Sequence, residues 1–214
     1  ETTESGRLVG IVSGVQLDDA DVALLQTKTE GWPAGVQLAA VSLRHHPDPG
    51  GFVRRFAGDH RHVVDYLTAE VLARVPAELR WFLLRCSILD WLEAEVCDAV
   101  IGSDDAAGLL REVEALNLFV VPLDETRGRF RLHRLFADWL GHQLGNEAPD
   151  EVPCLHQRAS AWFEHQGMPV EAVDHALLAK DWATAKRLIK AHVGRLTAEG
   201  RVATLTDWLG RIPE

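Results

Sequence analysis

The chain has 214 residues, of which 47% are hydrophobic and 25% charged, ordinary values for a globular protein of one large domain or a few small ones. That composition excludes a collagen, a disordered tail and a disulfide-stapled miniprotein, and no stretch approaches the ~18–20 uninterrupted apolar residues of a membrane span. The 22 Lys+Arg stand against 32 Asp+Glu, a net charge of −10, so the chain lacks the cations that nucleic-acid binding on its own would need.

The N-terminal run Glu1-Thr2-Thr3-Glu4 has no basic flank followed by an apolar core, and the only methionine is Met168. These features predict a cytoplasmic piece cut from a longer protein, with no signal peptide. Cys86, Cys97 and Cys154 lie among apolar residues without a Cys-x-x-Cys spacing, the pattern of free thiols in a reducing compartment.

Helical periodicity runs through most of the chain. Asp18 or Asp19 can cap a first helix carrying Val22, Leu24 and Leu25 and ending near Glu30-Gly31. Pro33 opens a second, with Val36, Ala39, Ala40 and Leu43 on one face, and His46-Pro47-Asp48-Pro49-Gly50-Gly51 stops it. Asp59 to Ala73 is predicted as a longer helix with Val63, Leu67 and Val71 inward.

After Pro76 a helix carries Leu79, Phe82, Leu83 and Cys86, and a short helix around Leu92 to Val100 follows. Ser103 or Asp104 is the expected cap of a third, with Ala106, Leu109, Leu110 and Val113 buried. The period then drops to two. Leu118 to Leu123 and Arg129 to Leu132 flank Asp124-Glu125-Thr126-Arg127-Gly128, a hairpin signal, and a helix from Leu135 to Leu144 follows. Three helices and a hairpin predict a winged helix.

A polar gap with Gly145, Pro149 and Pro153 precedes short helices around Leu155 to Phe163, Val173 to Leu177 and Trp182 to Ile189. These predict the start of a TPR-like α-solenoid, ending after about one and a half helix pairs where roughly three repeats are needed to bury a core. The expected organisation is a mainly α chain with a helical domain at 1–58, a winged helix at 59–147 and repeats at 148–214.

Catalytic motifs are absent. Gly-Lys does not occur, so there is no P-loop, and neither G-x-S-x-G nor H-E-x-x-H is present. Val15 to Asp19 faintly resembles a strand with a metal-holding acid but fits a helix cap better, and His60-Arg61-His62 has no partner at ligand spacing. No metal site and no enzyme activity are expected. The helix that would enter a DNA groove carries Asp104, Asp105, Glu112 and Glu114 against Arg111, three net negative charges. It would repel a phosphate backbone.

Three runs stand out: Thr29-Glu30-Gly31-Trp32-Pro33-Ala34-Gly35-Val36-Gln37-Leu38-Ala39-Ala40, Arg131-Leu132-His133-Arg134-Leu135-Phe136-Ala137-Asp138-Trp139-Leu140, and Glu171-Ala172-Val173-Asp174-His175-Ala176-Leu177. Val64 to Leu67 with Glu70 to Leu72, and Val121 to Asp124, lie between them. In this order and from about Leu17 onward, the chain resembles the MalT-like, LuxR-type ATP-dependent transcriptional regulators, which are signal-transduction ATPases with numerous domains.

The resemblance implies a central segment, with the end of the nucleotide-binding region and a small helical domain at 1–58, that lacks the P-loop part of the nucleotide-binding domain upstream and the DNA-binding domain downstream. These two domains would be its own partners, with a small-molecule or protein inducer on the repeats and DNA reached only through the missing domain. ATP or ADP would belong to the full-length protein, with none expected bound to this fragment. The Gly-x-Pro motif of the family falls on Gly31-Trp32-Pro33, with its Pro near the adenine. The winged-helix histidine falls on His133, near the nucleotide phosphate in the ADP-bound state. Arg134 stands where eukaryotic and plant relatives place Asp. An imidazole at a helix N-terminus adds a donor to an anion-favouring dipole, so His133 would latch the winged helix in one of two states. The residues alone also allow Trp32 as core, Pro33 as a plain helix start and His133 as a cap. The alternative function is a protein-interaction scaffold without nucleotide or DNA.

Overall fold

The computed structural model describes residues 2–44, 46–58, 60–67, 75–116 and 118–213. In chain order they form α1 (Thr2–Ser13), α2 (Asp19–Thr29), α3 (Pro33–Leu43), α4 (Pro49–Arg55), α5 (Arg61–Tyr66), α6 (Ala77–Cys86), α7 (Ala94–Ile101), α8 (Ala106–Ala115), β1 (Val120–Pro122), β2 (Phe130–Leu132), α9 (Arg134–Glu147), α10 (Val152–His165), α11 (Pro169–Leu178), α12 (Trp182–Ala198) and α13 (Val202–Arg211). The expected class, mainly α with one hairpin, is the observed one.

In the first section the Asp18 carboxylate accepts the Asp21 amide at 2.7 Å and starts α2, satisfying one of the donors a helix start leaves open. Pro33 is the first residue of α3, whose fully buried Ala39 and Ala40 let α1 pack closely along it. No helix was expected at α1, because Gly6 and Gly10 weaken its propensity. Val9, 1% exposed in the core, shows that packing supplies what propensity lacks.

A second difference lies at the Pro/Gly cluster. It stops α3 as expected but also starts α4, because Asp48 accepts the Gly51 amide at 2.8 Å and Pro49 takes the first helical position. Of the helix expected from Asp59 to Ala73, α5 covers Arg61 to Tyr66, with Val63 and Leu67 buried. Val71 lies outside the described residues.

The winged helix follows, with Leu79, Phe82, Leu83 and Cys86 buried along α6. The next helix begins at Ala94 rather than Leu92, because the Leu92 main chain pairs with the hairpin. Its amide donates to the Phe130 carbonyl at 2.7 Å, and the Phe130 amide returns the bond at 2.9 Å. Neither expected cap starts α8. The Asp98 carboxylate reaches over from α7 and accepts the Ala106 amide at 2.9 Å and the Ser103 hydroxyl at 3.2 Å. The strands pair antiparallel in the register Val120↔Leu132, Val121↔Arg131, Pro122↔Phe130. On α9, Leu135, Phe136, Trp139, Leu140 and Leu144 face the core.

Beyond it α10 packs on α11, α11 on α12, and α12 on α13. The chain therefore completes two helix pairs rather than one and a half. Leu205 and Trp208 form the buried face of α13, and the Trp208 indole N–H donates to Asp174 Oδ1 at 2.7 Å. Arg85 with Glu151 (2.8 and 3.2 Å) and Arg158 with the Val100 carbonyl (3.1 Å) tie this section to the winged helix. Trp91 adds edge contacts to Trp162 and Phe163 while Arg129 lies 4.2 Å over its ring.

Between α10 and α11 the Nδ1 atoms of His156 and His175 lie 2.8 Å apart, both rings buried. One Nδ1 donates and the other accepts, which requires opposite tautomers and no second proton. Burial pushes both imidazoles down from 6.5 to about 4, and the neighbouring His175 adds to the effect on His156. An unfolded chain therefore takes up these protons first. Their stabilisation is complete above about pH 6.5 and declines as pH falls toward 4. Urea unfolding followed between pH 7 and 4.5 should show that decline, and the His156→Gln/His175→Gln variant should show a flatter profile.

Candidate functional site

The site is assembled where α2 ends and α9 begins. Two successive left-handed residues, Glu30 (φ 48°) and Gly31 (φ 72°), break α2, and Trp32 leads into Pro33 at the start of α3. A Glu in this conformation carries strain that glycine avoids. The turn leaves the carbonyl of the buried Thr29 open at the C-terminal end of α2, where it accepts two bonds. The Trp32 amide donates at 2.8 Å, and Nε2 of His133 lies at 3.0 Å from across the junction.

Because a carbonyl only accepts, the His133 proton sits on Nε2. His133 is the residue just before α9, and its amide donates to the Phe119 carbonyl at 2.7 Å. Its Nδ1 is buried with no hydrogen-bond partner among the described residues. The ring sits edge-on to Trp32 at 5.8 Å, and Trp32 also meets Phe119 at 5.2 Å and Tyr66 at 5.7 Å. Such edge-to-face pairs add about 0.5–1.5 kcal/mol each beyond burial.

Trp32 and His133, predicted from separate motifs, are therefore brought together. Pro33 is turned elsewhere. It lines a cleft of about 460 Å³ with Ser5, Leu8, Gln26, Glu30 and Val36. The Gln26 side-chain oxygen is buried there without a partner among the described residues. Sequence reasoning missed Glu30 and Arg131, although both lie in the quoted motifs. The Arg131 Nη1 sits 2.9 Å from each Glu30 oxygen, and the Arg134 amide donates to Glu30 Oε1 at 3.3 Å. The two partners are 101 residues apart, a pairing that only the fold creates.

The approach is close. A Cβ at Gly58 would come within 2.3 Å of the Leu135 carbonyl and 2.5 Å of the Trp139 amide, so only glycine lets this loop lie against the first turns of α9. Elsewhere on the winged helix, Asp104 and Asp105 just before α8 and Arg111 and Glu112 on it are exposed, and Glu114 pairs with Arg127 of the hairpin at 2.6 Å, leaving an acidic surface at α8. Among the described residues no three His, Cys, Asp or Glu side chains gather to hold a metal, and no helix is long and apolar enough to cross a membrane.

Three helices closed by a hairpin, seated between a helical bundle and helix pairs, define a winged-helix module with an acidic third helix. Residues 68–152 match the MalT winged helix domain, so this segment is a winged helix of the MalT kind. The chain is 35% identical over 213 residues to the serine/threonine-protein kinase PknK of Mycobacterium tuberculosis, covering 100% of this chain and 19% of that protein. It is 33% identical over 199 residues to the HTH-type transcriptional regulator MalT of Serratia proteamaculans, covering 92% of this chain and 22% of that protein. The figures for MalT of Yersinia pestis are the same. The chain thus spans about a fifth of the length of these relatives.

Overpacking at a close backbone approach typically costs about 1–3 kcal/mol. Gly58→Ala should lower the thermal midpoint accordingly and raise amide exchange in the first turn of α9, as mass spectrometry of exchanged peptides would show. Gly145→Ala, where a Cβ meets nothing within 4 Å, should leave both unchanged.

Proposed function

We propose that this chain is the switch segment of a multidomain, MalT-like, ATP-dependent regulator of the LuxR type. It couples the nucleotide state of an upstream ATPase domain to an output domain, and it is not itself an enzyme. The observation that carries this reading is the His133 ring, which bridges two structural units through Nε2 while its buried Nδ1 stays without a partner among the described residues. A ring that served only as a cap would accept a local backbone N–H from the first turn of α9. This one reaches a carbonyl 104 residues away.

The residues beside Pro33 fit an adenine. The cleft offers Leu8, Pro33 and Val36 to a flat apolar ring. When bound, the nucleotide would supply the phosphate charge that distinguishes the ADP from the ATP state. In the docked arrangement His133 and Trp32 hold the winged helix against the end of α2. Releasing them would free the winged helix and the helix pairs behind it, which form a TPR-like sensor for an inducer. The inducer acts only through a difference in its affinity for the two states.

The relatives differ in output, since one bears the name of a protein kinase and another that of an HTH-type regulator. What both share with this chain is the segment itself, which supports a role before the output step. The acidic face of α8 supports DNA contact only through another domain. The isolated chain should bind ADP weakly, because two peripheral contacts rarely offset the entropy of association.

The test uses the intact parent protein purified with its nucleotide. His133→Ala should reduce retained ADP at least about tenfold, the effect of removing roughly 1.4 kcal/mol of binding. His133→Gln preserves a donor for the Thr29 carbonyl and should keep the winged helix docked while still losing ADP. Full ADP retention in both variants would refute the switch reading and leave the scaffold alternative.

A further inference from the structure

We infer that the Glu30 carboxylate is a releasable ionic clasp that holds the winged helix on the helical section. The inference rests on the reading of this junction as a switch and names the residue that regulates it.

Glu30 is placed for this by its backbone. Its left-handed φ of 48°, followed by Gly31 at 72°, turns the side chain off the end of α2 and across to the winged helix. There it meets three successive features: the Arg131 guanidinium on β2, bound through both carboxylate oxygens at 2.9 Å; the His133 ring, 4.0 Å from Oε2; and the Arg134 amide at the start of α9, at 3.3 Å. The Glu30–Arg131 ion pair joins residue 30 of the helical section to residue 131 of the winged helix. The apolar contacts of Trp32 persist at any ionic strength. The clasp does not, since it is a charge pair with side chains 24% and 36% exposed, open to screening.

Its position also explains how a ligand would reach it. Glu30 lines the cleft beside Pro33 and a second cleft of about 440 Å³ bordered by Ser87, Asp90, Arg131 and Arg134, and among the described residues it is the one common to both linings. A group entering either cleft therefore meets the carboxylate that closes the junction. A turn alone would be served better by glycine at this φ. The glutamate is explained by what it binds.

The clasp is tested on this chain without nucleotide, so its result does not depend on whether the parent protein binds ADP. Amide exchange is measured by mass spectrometry over peptides covering 28–34 and 130–137, at 50 mM and 500 mM NaCl. The unaltered chain should exchange about fivefold faster in these peptides at high salt, within the range of a partly exposed ion pair. Glu30→Gln and Arg131→Gln should each show the faster exchange already at low salt and lose the salt response, and the double variant should be no faster than either. Salt-independent exchange in the unaltered chain would overturn the clasp without any variant having to fold. So would a Glu30→Gln chain that keeps the unaltered chain's salt response.

Discussion

A helix that stops inside a folded chain must find partners for its last carbonyls, because the helix itself supplies none. At the end of α2 this requirement is met from outside the helix. The Thr29 carbonyl takes the Trp32 amide on one side and the His133 ring on the other. Those two bonds fix the Trp32 side chain against Phe119 and Tyr66, set Pro33 at the mouth of its cleft and put α9 alongside α2. The absence of a side chain at Gly58 is the steric counterpart, since the same α9 backbone could not otherwise come so close. Polarity and shape thus act on the same few residues.

The winged helix is held differently on its two sides. Toward α10 it offers the two-bond Arg85–Glu151 pair, the Arg158 bond to the Val100 carbonyl and the Trp91, Trp162 and Phe163 rings. Toward α2 the polar contacts converge on two adjacent residues, Thr29 and Glu30. Contacts spread over several elements must all be lost before that interface opens. Contacts gathered at one turn can be lost together, and this is why the proposed switch has its two-state element on the α2 side.

Much of this architecture was legible in the sequence because it depends on local rules. The Asp18 cap, Pro33 at a helix start, the apolar spacing of α6 and the turn residues between β1 and β2 each act within a few positions. The failures share a cause in long-range pairing. Leu92 carries an apolar side chain in helical register, but its main chain is claimed by Phe130. Ser103 and Asp104 have the right chemistry for a cap, yet Asp98 performs it from the preceding helix. α1 has two glycines and forms because α3 covers it. At the junction, motifs single out Trp32 and His133, which the fold places side by side, whereas the Glu30–Arg131 pair is a generic acid and base until the fold brings them together.

Similar segments occur in relatives named for different activities, a protein kinase and an HTH-type regulator. An output surface would need chemistry suited to its target, and the exposed face of α8, with Asp104, Asp105 and Glu112, is unsuited to the phosphates of DNA. The specific chemistry of this chain is concentrated inward, at the Thr29–Glu30 turn and its partners on β2 and α9. A contact directed at the protein's own neighbouring segment constrains when that neighbour moves but places no demand on what the moving part goes on to do. On the switch reading proposed above, a junction of this kind is compatible with different outputs.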